Sequence, residues 1–178
     1  YVDSDFASCV KTMKSTSGMC LKLETDRTCY PISFITQKQG CVSLSSTEAE
    51  VVAATKMMAN FGIPMLNCFE HIRGDKVNMI MFEDNEACQR ILEVGRSDKM
   101  GHAARTHCID ISFVSERIAN GDFKILHVHT NFQCGDPFTK AITDQITWER
   151  SLQNINVFDI DVFQKNRFGR NVADFTPI

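Results

Sequence analysis

No run of apolar residues in this chain approaches the ~20 that a helix needs to cross a bilayer, and no secretory signal pattern opens it. Those absences set aside a membrane-spanning and a secreted protein, and the expected location is cytoplasmic. Paired cysteines are missing as well: the eight thiols at 9, 20, 29, 41, 68, 88, 108 and 134 stand singly, with no Cys-x-x-Cys. Without a secretory signal this pattern reads as free, buried thiols of a reducing compartment, not as a disulfide framework. Internal repeats and low-complexity stretches are lacking too, which excludes a solenoid or a repetitive tether. Positive charge is also short. With 19 Lys and Arg against 22 Asp and Glu the net charge is −3 and the pI about 5.9, which argues weakly against a nucleic-acid binder acting alone. A metal-dependent nuclease can nevertheless be acidic, because its ligands are acids and bound cations reverse the local field.

What is present is an ordinary globular composition, 43% hydrophobic and 23% charged over 178 residues, enough for one domain with a real core. The chain starts at Tyr1 inside an apparent strand, which reads as a piece of a longer polypeptide with a truncated first strand. The pattern predicts strands over 1–7, 18–24 and 29–36, and a helix from Ser45 or Ser46 to about Phe61. Gly62 and Pro64 then predict a break before a helical piece at 65–72. Residues 76–83 are apolar on both faces and predict a central, doubly covered strand. A helix is expected over 85–94, a polar loop over 96–106, a helix over 107–120 and a strand over 123–129. Helices are expected from Pro137 and over 144–156, the latter carrying Trp148, Leu152 and Ile155 on one face. The order predicts a mixed α/β sheet with helices on its faces, a domain over 1–157, and an extended or disordered tail over 158–178.

Four acids stand out by their positions. Glu50 shares a helical face with Ala53, Ala54, Met57, Met58 and Phe61, a core stripe on which a carboxylate is costly unless paired or bound to metal. Glu48 points elsewhere and has a plain role available, since Ser45-x-x-Glu48 matches a capping box. Asp84 follows the strand at 76–83, where active sites of α/β sheets gather and where an N-cap is equally at home. Asp136 precedes Pro137 and is also a natural N-cap. Asp3 and Asp5 alternate onto one face of a strand, which disfavours Asp. Separated acids that a fold brings together suit hard divalent cations such as Mg²⁺.

The phrases around these acids resemble the ribonuclease H domain of copia-type LTR retrotransposon polyproteins. They are Asp3-Ser4-Asp5-Phe6-Ala7, Lys14-Ser15-Thr16-Ser17-Gly18, Ser45 through Val51, Asp84-Asn85, Arg105-Thr106-His107-Cys108-Ile109-Asp110-Ile111 and Gly135-Asp136-Pro137-Phe138-Thr139-Lys140. They run co-linearly over about 1–141 and are specific as a set. The chain departs from the family pattern at Phe6 for Trp, at Val51 for Tyr, and at Gly135 and Pro137 for Ala and Ile. The resemblance implies a ribonuclease H-like fold with a five-stranded mixed sheet flanked by helices. It also implies Asp3, Glu50, Asp84 and Asp136 as catalytic ligands of two Mg²⁺ or Mn²⁺ ions, hydrolysis of the RNA strand of RNA–DNA hybrids, and a reverse transcriptase domain upstream. An active element would place the protein in a virus-like particle. Lys14, Ser15, Thr16, Arg96, Lys99, His102, Arg105 and His107 are the candidates for gripping the hybrid, with a solvated basic loop as the plain alternative.

Three rival readings stand beside the resemblance. One, the related fold of integrases and transposases, also uses acids and two metals and is disfavoured by the Glu on the first helix and by that resemblance. His102, His107, Cys108, His127, His129 and Cys134 cluster late in the chain and include zinc-type ligands, without a closed four-ligand spacing. A ribonuclease H-like chain can also persist as a scaffold or hybrid-binding module after losing its chemistry, and fold alone does not separate these activities.

Overall fold

The computed structural model describes residues 1–26 and 28–158. The expected tail therefore lies, beyond Phe158, outside the described residues. Five strands form two sheets instead of one. Strands β1 (Val2–Asp5), β2 (Thr16–Thr25) and β3 (Thr28–Lys38) make an antiparallel meander. Strands β4 (Met79–Glu83) and β5 (Phe123–His127) pair in parallel. β1 lies beside β4, and the Tyr1 ring stacks on Phe82 with centroids 4.6 Å apart. No ladder joins these two strands among the described residues. Both are short, so the expected single sheet is divided at that seam.

The first helix forms where its cap is encoded. Ser45 Oγ accepts the Glu48 N–H at 3.1 Å, and α1 (Ser46–Met57) follows. Ala49 and Val51 through Ala54 are fully buried, so nearly the whole circumference of this helix is core. Pro64 does not break it. A π-helical turn over Met58–Gly62 carries the chain into α2 (Ile63–Arg73), with Pro64 in its first turn. The wider turn re-registers the hydrogen bonds, and the proline's missing N–H falls where little is lost.

Four further helices are α3 (Glu86–Val94), α4 (Ala103–Thr106), α5 (Ile111–Ala119) and α6 (Gln145–Asn154). Residues 96–106, expected as a loop, contain a 3₁₀ turn over Asp98–Met100 as well as α4. Helix α5 starts four residues later than expected. Cys108 adopts φ 54°, outside helical space, and Asp110 then caps Ser112 N–H at 3.0 Å. The helix expected from Pro137 is one 3₁₀ turn, Asp136–Phe138.

The main core packs α1, α3 and α5 on the inner face of the strands, through Val52, Met57, Met81, Leu92, Val114 and Phe123. β4 is fully covered on one side and partly on the other, where Tyr1 stacks on Phe82. Met81 and Glu83 face inward, while Ile80 is 44% exposed. On the other side α6 sets Leu152 and Ile155 against Cys20 and Cys134, and Trp148 stays exposed.

Candidate functional site

Strand β1 pairs Asp3 opposite Gly18 of β2, and neither position has room to spare. A Cβ on Gly18 would lie 2.8 Å from the Gly135 carbonyl oxygen, and one on Gly135 would lie 2.7 Å from Asp3 Cβ and 3.0 Å from its backbone nitrogen. Two missing side chains thus let the 134–140 segment sit directly against β1 and β2. That contact delivers Asp136 and Thr139 to Asp3. Thr139 Oγ1 donates to Asp3 Oδ2, and Lys140 Nζ pairs with Asp136 Oδ1 at 2.7 Å.

Glu50 reaches the same region from the first turns of α1. It is 6% exposed, and its Oε2 has no hydrogen-bond donor. Burial drives its carboxyl far above the ordinary range, and the charges of Glu83, Asp3 and Asp84 push it further. The Ser4 hydroxyl offsets part of that. Asp3 is pushed up to about 6, first by burial and then by Asp136 and Asp84, against the Thr139 hydrogen bond and Lys140. On Lys140 burial opposes the charge, but Asp136, Asp3 and Asp84 outweigh it and its ammonium is held above its ordinary pKa. The four acids named from sequence therefore act on one another through space, from β1, α1, the end of β4 and the 136–138 turn.

The plain alternatives for two of them fall away. The N-cap of α3 is Asn85, whose Oδ1 takes the N–H of Ala87 and Cys88 at 3.1 Å each, so Asp84 is not needed as a cap. Asp84 is half-buried and accepts Thr130 Oγ1 at 2.9 Å. The side chain of Asp136 caps no helix and pairs with Lys140 instead.

One buried acid escaped the sequence reading. Glu83 is fully buried, and its carboxyl is raised by burial and then by Asp84 and Asp3, while the Asn85 N–H, donated at 3.2 Å to Oε1, works the other way. Strand alternation held the signal: Met79, Met81 and Glu83 share the inward face.

The grip residues divide. Arg96, Lys99 and Arg105 are exposed and Lys14 is half-exposed. Ser15 is buried, with its Oγ accepting Ala7 N–H at 3.1 Å, and Thr16 pairs with the Ser8 hydroxyl at 2.9 Å. Both hold the 6–15 loop. His102 and His107 turn inward onto Glu48, with Nε2 atoms 3.0 and 2.9 Å from its Oε1. Glu48 is more than a cap: its Oε2 accepts the Leu44 N–H at 3.1 Å, one residue before the position a capping box predicts.

Among the described residues no three His, Cys, Asp or Glu side chains already stand as a closed metal shell. Neither the late histidines and cysteines nor the four acids stand as such a shell. The acids differ from them in kind. They are hard oxygen donors, mutually repelling, with an orphaned oxygen on Glu50, and that donor set fits Mg²⁺ or Mn²⁺.

The chain is 26% identical over 144 residues to the retrovirus-related Pol polyprotein from transposon TNT 1-94 of Nicotiana tabacum. The likeness is to a retroelement polyprotein. It covers 80% of this chain but only 10% of that protein, so the chain spans about a tenth of its relative's length. No family model matches, and no solved structure matches.

Proposed function

We propose that this chain is a ribonuclease H-like domain of a retroelement polyprotein that hydrolyses the RNA strand of RNA–DNA hybrids with two Mg²⁺ or Mn²⁺ ions. Glu50 carries the reading. An acid on a buried helix stripe, with an oxygen lacking a donor and three other carboxylates acting on it, works against stability. A cation site accounts for it. The strands support the same reading: the order β3-β2-β1 followed by β4-β5, with β1 beside β4, is a five-stranded mixed layout divided at one seam. The likeness to a Pol polyprotein supports a retroelement setting, to which we add a reverse transcriptase upstream and a cytoplasmic virus-like particle as the place of work.

Asp3, Glu50, Asp84 and Asp136 would hold the ions, whose chemistry there is to activate a water and steady the leaving 3′ oxygen. The chain's own residues arrange that centre. Thr139 orients Asp3, Thr130 orients Asp84, and Lys140 balances the charge of Asp136. Lys14, Arg96, Lys99 and Arg105 meet backbone phosphates. Discrimination of RNA from DNA rests on contacts to 2′-hydroxyls.

The test is a labelled RNA–DNA hybrid in Mg²⁺ or Mn²⁺, beside duplex RNA and duplex DNA. The expected result is cleavage of the RNA strand in the hybrid alone, reduced at least ~100-fold by Asp84→Asn. Binding of the hybrid without cleavage would instead assign the chain to the scaffold or hybrid-binding alternative.

A further inference from the structure

The side chain that ties the basic segment to the helix of the acids is Glu48. It is 2% exposed and all its bonds are directed. Its Oε1 receives both imidazole Nε2–H groups, from His102 and His107, and its Oε2 receives the Leu44 N–H. A carboxylate only accepts, so each histidine must carry its proton on Nε2. The His107 side chain is fully buried and that of His102 one-third exposed. A second tie lies beside the first, where Cys41 Sγ donates to the Thr106 carbonyl at 2.7 Å. Separately, buried Gln39 donates from Nε2 to Ser17 Oγ and to the Ala49 carbonyl of α1.

The consequence lies on the outside. His102 and His107 bracket α4, and Arg105 stands between them, with Lys99 and Arg96 just before. All three cations are exposed, and none forms an ion pair with an acid among the described residues. These cations face solvent, and the contacts that hold the segment lie on its other side, at His102, His107 and the Thr106 carbonyl. The two histidines supply the anchor, and they attach it to α1 through Glu48. We infer that Glu48 is a positioning residue: its double-histidine clasp fixes the 96–107 segment so that Arg96, Lys99 and Arg105 form a rigid phosphate-binding rim. This rests on the hybrid-cleaving reading and adds to it a residue that acts through others, without touching substrate.

Rigid presentation should appear as tighter binding, since an ordered rim gives up less freedom on docking. The experiment uses the full chain and a fluorescent RNA–DNA hybrid, comparing wild type, Glu48→Gln, Glu48→Ala and the milder His102→Gln. Expected are a Kd weakened ~10-fold for the Glu48 variants and ~3-fold for His102→Gln. The slope of log affinity against log salt should fall by about one phosphate contact or more. In cleavage, KM should rise in parallel while kcat stays within about twofold. Trypsin should cut after Arg96, Lys99 or Arg105 faster in the variants, which reads the clasp without any nucleic acid. A stability loss with Kd, salt slope and KM unchanged would overturn the inference and leave Glu48 as a core acid. A fall in kcat at constant KM would overturn it too. A wild-type chain that binds no hybrid would bring down the functional reading itself, whereas wild-type binding with unaltered variants sinks only this inference.

Discussion

Asp3 illustrates how one side chain ties site to stability. Its carboxyl is pushed from 3.8 to about 6 by burial and by neighbouring acids. The folded state therefore favours the protonated form. Its contribution is complete below the unfolded value and is lost as pH rises towards 6. Asp3→Asn should remove that dependence. Its unfolding free energy should gain on wild type by up to about 3 kcal/mol between pH 4 and 6, then run parallel above, as urea titrations across that range would record. A difference independent of pH would show that Asp3 ionises freely. At this scale the sequence was informative where periodicity and chemistry conflicted, as with Glu50 on an apolar stripe. It was uninformative about partners. Glu48 looked like a capping residue because its two histidines lie 54 and 59 residues away. Glu83 passed unnoticed beside Asp84, although strand alternation placed it inward.

Elements bring the acids together, and the closest approach is that of the 134–140 segment to β1. Gly135 permits it, having φ −75°, so space alone and not backbone strain decides there. Gly135→Ala would drive a Cβ into Asp3 backbone and side chain, and one of the two must move. Cleavage should drop ~10-fold or more, with a stability loss of roughly 1–3 kcal/mol. Gly74→Ala is the control. That residue has φ 76° and open space around it, so the substitution strains a helix end remote from the acids. It should cost about 1 kcal/mol and leave cleavage unchanged. Equal activity losses in both would mean that the 134–140 contact does not set the site. Element order was legible from sequence, and boundaries were less so. The π turn at Met58–Gly62 was hidden because Pro64 signals a break, and continuity depends on hydrogen bonds re-registering upstream. Helix α5 was expected early because the left-handed turn at Cys108 carries no glycine to announce it.

Across the whole molecule the mixed α/β class was readable, but the division into two sheets was not. Pairing depends on how β1 and β4 meet across distant sequence, and apolar content is silent on that. The same scale shows what the acids do to the fold. Asp3, Glu50 and Glu83 are all raised by burial and by negative neighbours. By the same sign, metal-free stability should decline as pH rises from about 4 towards 10, and divalent cations should restore it, more at pH 8 than at pH 5. The deciding measurement is thermal unfolding at pH 8 with and without Mn²⁺, for wild type and Glu50→Gln. A cation site requires opposite effects of the substitution. Without metal Glu50→Gln should melt several degrees higher, about 2–4 °C for each kcal/mol of the cost of burying an ionisable carboxyl among other acids that it removes. With metal, wild type should rise and the variant should not. A variant that melts lower than wild type and still responds to Mn²⁺ as wild type does would contradict a metal-binding role for Glu50, and with it the site built around it.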